Sequence, residues 1–241
     1  MTLRRFHIPR NLIEAGTFEF PAAEAHHARD VLRLKSGAEI RVFDGEGSEY
    51  AAVVDDVDRN AVRATVIGPV EPSAPESPLS ITLGSVVIPG ERYDLIVQKC
   101  VELGIVRLVP LASIRSEMTL RDISKRMVRW ERIALDAAKQ CGRAKLMEIA
   151  DPMDVSQFLD GPSSGERLFF SERDGGPIVQ HPTTDLLSAV IGPKGGWDDS
   201  EIAKARDAGF TIVTLGGRIM RAETAAIALT AILQHRFGDI N

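Results

Sequence analysis

Apolar and polar positions alternate with a period of two in three short runs, Glu39 to Phe43, Tyr50 to Val54 and Ala61 to Ile67. Between them lie Asp44-Gly45-Glu46-Gly47 and Asp55 to Asn60, residue types that tight turns demand, so the pattern predicts a β-meander. Ahead of it, Ala25, Ala28, Val31 and Leu32 recur at helical spacing within Ala22 to Leu34. Pro21 stands at the start of that helix, where a fixed φ and a missing N–H cost nothing. Helix and meander together predict a small barrel-like domain. Next, Pro69, Pro72, Pro75 and Pro78 interleave with Ser73 and Ser77, the composition of a stiff linker. The expected division is residues 1–72, a linker at 73–78, and residues 79–241.

After the linker the period switches back and forth. Strands are predicted at Leu79 to Ile88, Val106 to Leu111, Leu146 to Ile149, Leu168 to Ser171, Leu187 to Ile191 and Thr211 to Leu215. Helices are predicted over Glu91 to Leu103, Ser124 to Cys141, Val155 to Leu159, Asp198 to Ala208 and Ala222 to Arg236, with Gly104 and Gly142 as stops for the first two. Such alternation implies an α/β fold with a mostly parallel sheet, whose ligands lie beyond the carboxyl ends of the strands. The last helix interleaves Ala225, Ala226, Ala228 and Ala231 with Ile227, Leu229, Ile232 and Leu233, so most of its surface is small or apolar. A buried dimer interface or a tightly crossed chain would both satisfy it.

Composition narrows the function classes. With 44% apolar and 26% charged residues the 241-residue chain has a globular profile, and no apolar run approaches the roughly 18 residues of a membrane helix. Arg4, Arg5 and Arg10 precede no secretory apolar region, so a cytoplasmic location is expected. Two cysteines and five histidines show no metal-ligand spacing, and neither a disulfide nor a metal is expected. The net charge of −5 hides a block structure: residues 115–145 carry Arg115, Arg121, Lys125, Arg126, Arg129, Arg132, Lys139, Arg143 and Lys145 against four acidic residues. A concentrated basic stretch in an acidic chain is the footprint of a polyanion site. A solvated helix face, with Glu131 and Asp136 pairing at helical spacing, would carry the same charges.

Two glycine-rich loops follow predicted strands and lead into helices: Ile191-Gly192-Pro193-Lys194-Gly195-Gly196 and Leu215-Gly216-Gly217-Arg218. Glycine lets a ligand lie against bare backbone, whose amides and carbonyls can read a base edge. Neither loop has the dinucleotide or P-loop spacing, so NAD and ATP sites are disfavoured. Each loop alone is a tight turn; the pair at successive strand ends points to a nucleoside-like ligand. Arg221, Glu223 and Thr224 open the last helix, where Glu223 or Thr224 could also serve as a simple cap.

Further motifs are Arg5-Phe6 with Pro9, His27 with Val31-Leu32-Arg33, Phe43-Asp44-Gly45, and Gln98-Lys99-Cys100-Val101-Glu102-Leu103-Gly104. They continue through Gln140-Cys141-Gly142-Arg143, the Ile191 to Gly196 loop, Leu215 to Ala225, and Arg236-Phe237-Gly238-Asp239. In this order, across both predicted domains, the chain resembles the ribosomal small subunit methyltransferase E family. The resemblance implies an N-terminal PUA-like β-barrel that binds RNA and a C-terminal SPOUT α/β domain with a trefoil knot. It also implies a homodimer and methylation of N3 of a uridine in 16S rRNA of the small ribosomal subunit, with S-adenosylmethionine as cofactor.

Carried onto this chain, the cofactor positions are Ser171, Glu172, Ile191, Gly192, Pro193, Gly195, Gly196, Leu215, Gly216, Ile219, Met220 and Arg221. Arg221 is the candidate for stabilising the uracil anion and Glu223 for the base. Phosphate contacts are expected from Arg4, Arg5, Arg10, Arg33, Arg121, Arg126, Arg129, Arg132, Arg143 and Lys145. The chain departs from the family pattern at Lys194, where Glu is usual, and at Gly217, where Pro is usual. Two other readings stay open: a small-molecule enzyme with a nucleotide cofactor, and a catalytically silent rRNA-binding module, which Lys194 keeps in play.

Overall fold

The computed structural model describes residues 3–162, 165–178, 184–216 and 218–240. It divides into two compact units, Met1–Glu76 with Ala138–Leu146, and Ser77–Ala137 with Met147–Asn241.

In the first unit the elements are β1 (Arg4–His7), α1 (Arg10–Glu14), β2 (Thr17–Glu19), α2 (Ala22–His26), β3 (Glu39–Phe43), β4 (Glu49–Val57) and β5 (Val62–Val70). The sheet order is β1-β3-β4-β5-β2, with β1 parallel to β3 and the remaining pairs antiparallel. Alternate residues Ile40 and Val42, Ala52 and Val54, and Val62 and Ala64 point into one core with Phe6, Ile8, Phe18 and Phe20. The Asp44 turn is held by its own carboxylate, whose Oδ1 accepts from the N–H groups of Glu46, Gly47 and Ser48. Two elements depart from the expected pattern. The helix predicted over Ala22 to Leu34 is α-helical only to His26, widens into a single π-type stretch over His27–Val31, and ends at Arg33 with φ +52°. The edge strands β1 and β2 were not predicted, because three- and four-residue runs carry too little periodicity to register.

Residues 138–146, assigned to the second domain by periodicity, pack with the first unit instead. The Arg5 guanidinium donates to the carbonyls of Ala138, Lys139 and Arg143. Ala74 N–H reaches Gly142 O at 3.1 Å, and Leu146 N–H reaches Gly45 O at 2.9 Å. Arg143 pairs with Glu76 at 2.7 Å and Lys139 pairs with Glu24. The start of the proline-rich stretch is likewise tied down: Ser73 donates its N–H and hydroxyl to Glu49 at 2.9 and 2.8 Å.

The second unit comprises β6 (Ser80–Val86), α3 (Arg92–Glu102), β7 (Arg107–Ala112), α4 (Leu120–Ser124), α5 (Met127–Cys141, its end in the first unit), β8 (Glu148–Ile149), β9 (Met153–Asp154), α6 (Val155–Asp160), β10 (Glu166–Phe170), β11 (Leu186–Ile191), α7 (Asp199–Asp207), β12 (Thr211–Val213) and α8 (Ala222–Phe237). Among the described residues the sheet has seven strands in the order β12-β10-β11-β6-β7-β8, with β9 also on β7, and every pairing is parallel. Central strands are buried on both faces, as in β11, where every residue from Leu187 to Ile191 is buried and all but Ser188 are apolar. The long helix predicted from Ser124 is α5, which begins three residues later at Met127, and the short α4 before it and β9 are additions to the expected set.

One consequence of the strand order positions the site. β10 lies between β12 and β11, so three segments distant in sequence end side by side. The N-terminal end of α8 leads out of the β12 loop, while its far end is pinned by buried Gln234, which donates to Leu103 O and accepts from Ser77 Oγ. Among the described residues no helix is long and apolar enough to cross a membrane.

Candidate active site

Beyond Phe170, Ile191 and Val213, the last residues of β10, β11 and β12, three loops close around a cavity of about 280 Å³. Its floor is built on Trp197, which is 1% exposed, stacks on Phe169 at 4.3 Å between ring centroids and donates Nε1–H to Phe170 O at 2.7 Å. Gly192 is required there, since a Cβ would stand 2.8 Å from the indole. Gly196 has φ +71°, and a Cβ on it would meet Glu172 Oε1 at 2.8 Å.

The loop after β10 is fixed by Arg173. Its guanidinium donates to Glu172 Oε1 (2.5 Å), Trp197 O (3.0 Å) and Asp199 Oδ1 (2.5 Å), so it ties this loop to the one after β11. The loop after β12 is tied to the loop after β10 in turn, with Gly175 N–H donating to Thr214 Oγ1 and Thr214 N–H to Gly176 O. At the start of α7, Asp198 and Glu201 form the expected capping box. The Ser200 hydroxyl and N–H, with Arg115 behind them, hold the Asp198 carboxyl below its usual range. The second oxygen of Glu201 accepts Ile114 N–H at 3.0 Å and so anchors the segment after β7.

Ten of the twelve expected cofactor positions line this cavity: Ser171, Glu172, Ile191, Gly192, Pro193, Gly196, Leu215, Gly216, Ile219 and Met220. Gly195 and Arg221 do not, and Gly217 lies outside the described residues. Arg221 is exposed at the residue before α8. The Glu223 side chain is 15% exposed and sits 3.9 Å from Arg92, outside the lining. Lys194 is also outside it, exposed and 3.7 Å from Glu117, so the unusual charge does not enter the cavity. Arg218, inside the expected third loop but not singled out there, also lines it, and sequence reasoning missed Phe170, Trp197, Val213, Thr214, Ala222, Ala225 and Leu229. A tryptophan directly after a glycine run, and small residues at i and i+3 in the first turn of α8, were the available signals.

The expected phosphate contacts separate into two kinds. In the first unit Arg4, Arg33 and Lys145 are exposed, and Arg10 is exposed but paired with Glu14 and Glu46 at 2.9 and 2.7 Å. Arg5 and Arg143 are not surface groups: their side chains are 6% and 5% exposed, and they are spent on buried Glu49 and half-buried Glu76. A buried guanidinium must be compensated in this way, which removes both from the set available to phosphate. In the second unit Arg121 and Arg132 are exposed, Arg126 reaches Gly90 O at 3.4 Å, and Arg129 is held by Asp94 at 2.6 Å. Among the described residues no cluster of three or more His, Cys, Asp or Glu gathers in a way that could hold a metal ion.

The family model described as the RNA methyltransferase domain matches residues 75–234, and the RNA methyltransferase PUA domain model matches residues 20–67. Ribosomal RNA small subunit methyltransferase E of Synechocystis sp. is 32% identical over 240 residues, covering 96% of this chain and 77% of that protein. The chain belongs to the ribosomal RNA small subunit methyltransferase E family. The Aquifex aeolicus member is 32% identical over 215 residues, covering 88% of this chain and 91% of its own. The solved structure of ribosomal RNA small subunit methyltransferase E from Neisseria gonorrhoeae, bound to S-adenosylmethionine, is 32% identical. It covers 100% of both chains with a TM-score of 0.91. The architecture of a PUA domain with a mixed sheet and a methyltransferase domain with a parallel sheet is therefore the family's own.

Proposed function

We propose that this chain uses S-adenosylmethionine to methylate N3 of a uridine in 16S rRNA of the small ribosomal subunit. The observation that carries the reading is the cavity itself, where three loops cross-tied by Arg173 and Thr214 converge on a floor of Trp197. The residues fit such a cofactor: Gly192 and Gly196 leave backbone bare where any side chain would fill the space, and the remaining walls combine apolar side chains with backbone and polar groups. Ser171, Ile191, Gly192, Gly196, Leu215 and Gly216 would hold the nucleoside by backbone and close packing. Bound there, S-adenosylmethionine supplies a methyl group on a sulfonium sulfur, open to in-line displacement.

What remains for the protein is alignment, exclusion of water and management of one proton. Uracil N3 is an imide nitrogen that must be deprotonated to attack, and Arg221 at the start of α8 is the cation assigned to the charge that develops on the ring oxygens. The approach of Arg92 to Glu223 favours a structural role for that carboxylate at the N-terminal end of α8 over the role of base. Because N3 is a base-pairing atom, the target uridine must be unpaired or flipped out. Arg4, Arg33, Lys145, Arg121 and Arg132 are the exposed cations assigned to phosphate.

The same reading includes the trefoil knot and a homodimer in which two subunits complete each site. Half-buried Ile227, Ala228, Ala231 and Ile232 along α8, with Ile219 90% exposed at the cavity, support a partner surface there. A small-subunit rRNA substrate carries with it a cytoplasmic location. The test is nucleoside analysis of 16S rRNA from cells lacking the gene. Loss of 3-methyluridine and its return with the wild-type chain are expected; an unchanged nucleoside profile overturns the reading.

A further inference from the structure

Among the described residues lining the cavity, Glu172 and Arg218 are the two that carry formal charge. They come from different loops, Glu172 from the one after β10 and Arg218 from the one after β12. Glu172 is held in place by the Arg173 bond at 2.5 Å, and Arg173 is itself anchored on Trp197 O and Asp199. Arg218 is exposed and makes no hydrogen bond or ion pair with any described residue. The cavity thus presents one fixed carboxylate and one uncommitted guanidinium on walls otherwise made of backbone and uncharged side chains. A single-charge ligand would satisfy one of these groups and face the other's repulsion. A ligand end that carries both signs satisfies the two together.

We infer that Arg218 and Glu172 are the specificity-determining pair for the zwitterionic amino-acid end of the cofactor. Arg218 takes its carboxylate through the planar guanidinium fork, and Glu172 takes its ammonium. The inference rests on the S-adenosylmethionine reading above and adds to it a residue pair that selects complete cofactor over truncated thioethers. An RNA phosphate is the competing partner for Arg218. The chemistry of the pair favours the cofactor, because the Glu172 oxygen that takes no bond from Arg173 accepts from an ammonium, which a phosphate lacks.

The test is titration calorimetry on the full chain with two neutral-sulfur probes. S-adenosylhomocysteine carries the amino-acid end, and 5′-methylthioadenosine shares the adenosine and the thioether but lacks it. The wild type is expected to prefer S-adenosylhomocysteine. Arg218→Ala should weaken that ligand by about tenfold to a hundredfold and leave 5′-methylthioadenosine binding unchanged, which also shows that the variant is folded. Arg218→Lys should recover part of the loss, and Glu172→Gln should reduce the same preference. Equal effects on both ligands, or no effect on either, overturn the pairing; so does a variant that loses RNA affinity alone. A wild-type chain that binds neither nucleoside instead fails the cofactor reading itself, so the two failures are distinguishable.

Discussion

Arg5 and Glu49 form a buried bidentate pair, with Nε and one terminal nitrogen of the guanidinium 3.2 and 3.0 Å from the two carboxylate oxygens. Side-chain exposures of 6% and 0% leave no water to replace either partner. The other donors of Arg5 close the carbonyls at the end of α5, and Glu49 also takes both donors of Ser73, so one ion pair joins strand β1, strand β4 and the returning segment. Arg5→Ala should cost about 3–5 kcal/mol, the range for stranding one half of a buried pair. Urea unfolding of the variant measures it, and RNA affinity at temperatures where the variant stays folded should not change.

Gly192 and Trp197 make a second tight contact. Gly192→Ala places a methyl group 2.8 Å from the indole of a buried tryptophan whose N–H is already committed to Phe170 O. Overpacking of this kind costs about 1–3 kcal/mol. It should also push the floor of the cavity out of shape, so S-adenosylmethionine affinity should fall at least tenfold in calorimetry while far-ultraviolet dichroism stays that of the wild type.

Stability should fall in two steps on acidification. Burial lowers the His7 pKa below its ordinary 6.5, against opposing contributions from the Asp44 backbone and Glu24. A histidine kept neutral by the fold takes up protons more readily when unfolded, so stability declines as pH drops below 6.5. Burial raises the Glu49 pKa, but the bonds from Arg5 and Ser73 outweigh it and hold the carboxyl below its ordinary 4.5. Its contribution is present above 4.5 and lost as pH falls through the folded value. Calorimetric melting across that range should show both steps, with the upper one absent in His7→Gln.

Arg129 and Arg132 lie on one helix yet differ in commitment. Arg129 donates two bonds to Asp94, whereas Arg132 is exposed and has no ion pair among the described residues. Removing Arg132 should weaken RNA binding and lower the slope of log affinity against log salt by about one unit. Arg129→Ala should lower it less, because the charge removed was already compensated. Filter binding over a salt series measures both.

Much of this architecture was legible where the local pattern is long. The meander from Glu39 to Ile67, the strand and helix alternation after Leu79, and the Asp198 capping box all follow from periodicity and turn chemistry. The return of residues 138–146 to the first unit was not legible, because what fixes it is a set of non-local bonds through Arg5, Ala74 and Gly45. For the same reason Arg5 and Arg143 looked like free cations: charge can be counted along a chain, but the carboxylates that bury it lie 44 and 67 positions away. The cavity loops were legible as glycine runs at strand ends. Trp197 as the floor was not, since its part depends on β10 lying between β12 and β11, an order no local pattern encodes.

The central claim, that the cavity beyond β10, β11 and β12 is where small-subunit rRNA is methylated, is tested most directly by reconstitution. Purified chain, S-adenosylmethionine labelled on the methyl group and small subunits lacking the modification are combined, and the 16S rRNA is digested to nucleosides. Label in 3-methyluridine with the wild type, and a large loss with Gly192→Val, is the predicted result. Absence of label with the wild type, or equal labelling by the folded variant, contradicts it.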